Sequence, residues 1–140
     1  MKKFLIITLI LFVVNLPAYS WHKKEKPTLI LSSYDPRQLS YDEKIEPVSI
    51  FKTNERIYFM IYNPEGFKSD YIKYQIIKQE DNAHVGGFTR ERNVTCRLNN
   101  KNQYIDYFVL PRKGKYFIQI FDITNLNQWL TIGAFRVTDE

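Results

Sequence analysis

Cysteine is nearly absent. Cys96 is the only one in 140 residues, so no disulfide can form within the chain. A hydrophobic core must therefore hold the fold without covalent staples. Histidine is scarce as well, with only His22 and His84, and neither stands in a spacing that gives a nucleophile its base. His84 lies beside Gly86-Gly87 and reads as a turn or edge residue. His22 would be the second residue after a cut at Ser20, where an amino terminus and an imidazole can share copper, but no cluster of soft ligands accompanies it. The chain also lacks a glycine-rich phosphate loop, an internal repeat and any helical period of useful length. Asp122, Asn125 and Asn127 offer oxygens from one loop without the acid spacing and glycine of a calcium loop, so a plain connection is expected there. These absences exclude every catalytic or cofactor class that announces itself by motif, and they predict no cofactor and no metal site.

Long apolar runs are missing except at one place. Residues 1–20 combine Lys2 and Lys3, an eleven-residue apolar run from Phe4 to Val14, and the small residues Ala18 and Ser20, which is the build of a secretory leader cut after Ser20. The run falls short of the roughly 20 residues a spanning helix needs, so no membrane span is expected in the mature chain. No cysteine follows the cut, which disfavours a lipid anchor. Residues 21–27 read as a flexible polar segment, and 28–140 as a single domain of common size. Losing Lys2 and Lys3 lowers the formal net charge from +5 to +3, with acids interleaved among the bases, which speaks against a nucleic-acid footprint. The expected location is periplasmic or extracellular.

What the chain does have is aromatic and β-branched residues, 16% of it aromatic, in short runs bounded by turn chemistry. Strands are expected at Thr28–Tyr34, Val48–Lys52, Arg56–Tyr62 and Tyr71–Gln79, with the charged, proline-bearing segment before Val48 as a loop. Arg56–Tyr62 is apolar on both faces, as in a covered central strand or an exposed aromatic stripe. His84–Thr89 reads as a bulged or irregular edge strand, Arg90–Asn93 as a polar break, and Val94, Cys96 and Leu98 as one buried face of the next strand, with an inert thiol. The sequon Asn93-Val94-Thr95 matters only in a glycosylating export pathway.

Tyr104–Val137 carries the strongest fold signal. A strand Tyr104–Leu110 ends at Pro111, Gly114 permits a corner with positive φ, Lys115–Asp122 follows, and the Asn- and Thr-rich loop 123–128 leads to a last strand from Trp129 to Val137. The spacing L-P-x-x-G-x-Y resembles the entry to the F strand of immunoglobulin-like sandwiches, where a tyrosine bonds back to the corner; Tyr116 is that residue. The resemblance to bacterial exported immunoglobulin-like (Greek-key) proteins implies an all-β, antiparallel sandwich of about seven strands; a small closed β-barrel is the alternative. It also implies that Tyr71–Gln79 neighbours Lys115–Asp122.

If Tyr116, Ile118 and Ile120 face the core, Phe117, Gln119 and Phe121 face outward. Trp129 near Phe121 would then complete an apolar platform flanked by Lys73 and Gln75, unless a loop covers these rings or the faces are reversed. The functional expectation is an exported, non-enzymatic binding or assembly module acting on a protein or glycan partner through a sheet face or edge. Its alternative is a small carboxylate-dependent hydrolase or carbohydrate-active domain, which would set Asp106 beside a second acid in a deep cleft.

Overall fold

The computed structural model describes residues 24–80 and 87–139. The expected leader with its cut at Ser20, residues 21–23 of the 21–27 segment with His22, and His84 and Gly86 lie outside the described residues. Among the described residues there are eight strands: β1 (Thr28–Ser32), β2 (Ile50–Lys52), β3 (Arg56–Tyr62), β4 (Tyr71–Gln79), β5 (Phe88–Arg97), β6 (Gln103–Val109), β7 (Gly114–Asp122) and β8 (Thr131–Thr138). They form two sheets, ordered β1-β3-β6 and β2-β8-β7-β4-β5. The architecture is an immunoglobulin-like sandwich, with two separate sheets where the alternative had a closed barrel.

The core is the alternation made physical. On β3 the buried residues are Ile57, Phe59 and Ile61; on β4, Ile72, Tyr74 and Ile76; on β7, Tyr116, Ile118 and Ile120. Phe59 bridges the sheets by meeting the Tyr74 ring at 4.9 Å, while Tyr116 stacks on Phe135 at 5.5 Å within the five-stranded sheet. The expected corner is formed: the Tyr116 hydroxyl donates to the Arg112 carbonyl at 2.6 Å. Gly114 has φ +152°, a backbone conformation strained for other residues, and an added Cβ would lie 2.6 Å from Lys78 Cε, so the lysine side chain would have to shift.

The eight strands among the described residues agree with the expected seven or so. Three finer expectations need correction. The sandwich is not wholly antiparallel, because β2 runs parallel to β8. The loop between β1 and β2 carries the chain from one sheet to the other, and a three-residue strand is too short to display a period. β1 ends at Ser32, whose hydroxyl accepts from the Tyr34 amide and bends the chain, and β8 begins only at Thr131. The polar break at Arg90–Asn93 does not exist, since these residues lie inside β5. Ile76 opposes Arg92 while Ile77 opposes Arg90, so Glu91 is an extra, bulged residue. An edge strand tolerates polar side chains along its length, which hides it from a hydrophobicity count.

Cys96 and Leu98 are buried and Val94 packs against the core, on the face expected of them. Burial raises the Cys96 thiol above its ordinary pKa, with the Tyr104 hydroxyl opposing. This is an inert thiol's environment.

Candidate functional site

Strand register decides which side chains share the outer face of the five-stranded sheet. From β5 inward, Thr95, Lys73 and Phe121 form one row, and Asn93, Gln75, Gln119 and Ile132 the next. Arg90, Ile77, Phe117 and Ala134 follow, then Phe88, Gln79, Lys115, Arg136 and Ile50. Arg97 and Tyr71 close the far end. Phe117, Phe121, Lys73 and Gln75 therefore stand together, and the Gln75 amide donates to the Gln119 side-chain oxygen at 3.4 Å.

Trp129 is not in one of these register rows: it belongs to the loop before β8, is about half exposed, and lines a cavity of about 480 Å³ at the end of the sandwich with Asn63, Lys68 and Asp122. The aromatic neighbour of Phe117 is Phe88, at 5.9 Å between ring centroids and 72° between planes. Sequence reasoning missed Phe88 because the bulge at Glu91 shifts its phase. Without that extra residue, Phe88 and Arg90 would point to the inner side. Ile77 and Lys115 share the parity of Gln75 and Phe117, whereas Ile132 and Arg136 became visible as outward positions only once register was known.

The other outer face, on β1-β3-β6, carries the row Ile30, Met60 and Ile105 beside Tyr58 and Tyr107, whose rings lie 5.5 Å apart. Arg56 sits 5.1 Å above the Tyr107 ring. This is the aromatic stripe expected as one option for Arg56–Tyr62.

The β6 edge is guarded. Among the described residues β6 pairs with β3 alone. Asp106 sits on the inner face of β6, opposite Phe59. Its carboxylate accepts from the Tyr104 hydroxyl at 2.9 Å and from the Tyr107 amide at 2.8 Å. An inward charge that occupies an edge amide blocks the pairing of another strand there. Burial, then hydrogen bonding with Cys96 and Asp106, raises the Tyr104 hydroxyl far above its ordinary pKa, so it serves as a donor.

The acids beside the cavity are constrained too. Asp122 is buried and accepts from the Thr124 hydroxyl at 2.7 Å, the Thr124 amide at 2.9 Å and the Lys68 amide at 3.1 Å. Burial alone would raise its pKa, but these donors outweigh it and hold the carboxyl below the usual range. It braces two loops. Glu25 and Glu65 line the same cavity. Among the described residues no group of three or more His, Cys, Asp or Glu could hold a metal ion, and no helix is long and apolar enough to cross a membrane.

No family model matches the chain, and no curated protein matches it. Solved structures do. An immunoglobulin-like protein from Pseudomonas aeruginosa aligns with a TM-score of 0.51 at 8% identity, over 83% of this chain and 99% of that one. The soluble domain of PmoD from Methylocystis aligns with a TM-score of 0.48 at 15% identity, over 80% and 90% of the two chains. At 8% identity the likeness to the first concerns the fold alone, and with the strand order and the Tyr116 corner it gives this chain an immunoglobulin-like fold.

Proposed function

We propose that the protein is an exported, non-enzymatic binding module whose working surface is the outer face of the five-stranded sheet. The observation that carries this reading is the row register, which sets Phe117, Phe121, Ile77 and Ile132 in one continuous face with Lys73 and Gln75. Four strands of eight to ten residues and the three-residue β2, at about 4.8 Å spacing and about 3.3 Å per residue, give a face of roughly 600 Å². That is about three quarters of the roughly 800 Å² each partner contributes to a standard interface. The guarded β6 edge favours the face over strand addition as the mode of contact.

The test is cross-linking from the face in producing cells. With a photoreactive residue in place of Gln119, adducts of defined mass should form and should vanish in the Phe117→Ser/Phe121→Ser background. Adducts arising only from Ile105 on β6, or only from Trp129, overturn the assignment.

The cavity beside Trp129 favours a second reading, a carbohydrate-active end of the sandwich. An exposed indole next to Glu25 and Glu65 has the parts of a sugar subsite. Binding of a soluble oligosaccharide that is lost in Trp129→Ser and kept in Phe117→Ser/Phe121→Ser supports that reading over the first.

A further inference from the structure

The five-stranded face differs from the rest of the surface in the sign of its charge. Lys52, Lys73, Arg90, Arg97, Lys115 and Arg136 occupy its register positions, and no acidic residue does. The chain has 15 acidic residues, so their absence from the largest face reflects segregation. The described acids lie off these rows. Glu25 precedes β1, Asp35, Asp42, Glu43 and Glu46 sit in the loop between β1 and β2, Glu55 in the next turn, and Glu65 and Asp70 between β3 and β4. Glu80 and Asp139 follow β4 and β8 and line a cavity at that end of the sheet with Lys115 and Arg136, where Glu80 accepts from the Thr89 hydroxyl at 2.6 Å. Glu91 sits at the bulge, held by Arg112 at 2.6 Å, while Asp106 and Asp122 belong to the inner side. The ion pairs among the described residues are Arg37–Asp35, Arg112–Glu91 and Lys113–Asp139, and none involves the six face cations.

We infer that this face docks an acidic protein surface, one with apolar side chains at its centre and carboxylates around them. The inference rests on the reading that the face is the working surface, and adds the partner's chemistry. Arrangement favours a protein over a simple polyanion. Ile77, Phe117, Ala134, Ile132 and the paired glutamines fill the middle rows. Arg90 and Arg97 stand on the β5 edge, Lys115 and Arg136 in the row toward one end, and Lys73 toward the other. An apolar centre with a charged rim is how protein interfaces are built. Unpaired rim cations steer encounter and reject basic partners, an effect screened by salt.

The test selects a displayed library of a small helical scaffold against the immobilised full chain. Surface positions of the scaffold are randomised evenly among Asp, Glu, Lys, Arg, Leu, Tyr and Ser. Enriched clones should carry at least threefold more Asp and Glu than Lys and Arg, together with Leu or Tyr. Their affinity should fall at least tenfold against Arg90→Glu/Arg136→Glu and against Phe117→Ser/Phe121→Ser, and weaken in 500 mM NaCl. Circular dichroism establishes that each variant is folded, and Lys73→Gln/Lys115→Gln supplies a milder neutralisation if the reversal is not. Clones of neutral or basic composition that lose binding in the Phe variant alone overturn the acidic partner and leave the working face standing. Clones indifferent to both variants overturn both. Retention of the full chain on heparin, single-stranded DNA or phosphatidylglycerol vesicles at 150 mM NaCl, abolished by the charge reversal and without enrichment of acidic clones, overturns the protein class in favour of that polyanion.

Discussion

Replacing Tyr116 by Phe isolates the corner hydrogen bond. The ring is 1% exposed and stacks on Phe135 at 15° between planes, contacts that phenylalanine keeps. What is lost is the 2.6 Å bond from the hydroxyl to the Arg112 carbonyl. A neutral hydrogen bond contributes about 1 kcal/mol net, and stranding a partly buried acceptor adds to that, so Tyr116→Phe should cost about 1–2 kcal/mol. With a urea m-value of about 1.5 kcal/mol/M, the unfolding midpoint should fall by about 0.7–1.3 M with m unchanged. Tyr116→Ala removes the ring as well and should cost a further ~3 kcal/mol or more through the cavity it leaves. Equilibrium urea unfolding followed by far-UV circular dichroism measures both. A Tyr116→Phe midpoint within 0.2 M of the parent, in roughly 1.5 kcal/mol/M units about 0.3 kcal/mol, would refute the claim that the corner bond helps hold the two sheets' connection in place.

Two further predictions concern the loops and the sheet-to-sheet seam. Asp122 has a folded pKa below its reference of 3.8, so the unfolded chain takes up its proton first as pH falls. Its contribution should be fully present well above pH 3.8 and decline as pH drops through the folded pKa, while Asp122→Asn should flatten this part of the stability profile in urea melts at pH 2–6. At Gly133 an added Cβ would lie 2.9 Å from Leu29 Cδ2, where β1 packs across β8. Gly133→Ala should destabilise by about 1–3 kcal/mol through overpacking, and Leu29→Ala should recover part of that in the double variant, giving a coupling energy in thermal or urea melts. Independent, additive effects would show that the two strands do not meet as described.

Much of the fold was legible because its strands obey their period. Arg56–Tyr62 and Tyr71–Gln79 match β3 and β4 residue for residue, and the inward Tyr116, Ile118 and Ile120 are buried as their alternation implied. The site was legible in part. An outward Phe117 and Phe121 follow from an inward Tyr116, but their neighbours depend on cross-strand register, to which local sequence is blind.

The sequence by itself determined a chain without intrachain disulfides, rich in β-branched and aromatic residues, with Gly114 and Tyr116 spaced for a corner; local sterics and side-chain periodicity suffice for these. Tertiary structure alone decided that β2 leaves its neighbour β1 to run parallel with β8, and that a bulge at Glu91 turns Phe88 and Arg90 outward. It also set Lys52, Lys73, Arg90, Arg97, Lys115 and Arg136 on one face with no carboxylate among them. Those outcomes arise from pairings between residues far apart in the chain, where a shift of one residue exchanges the buried face for the exposed one.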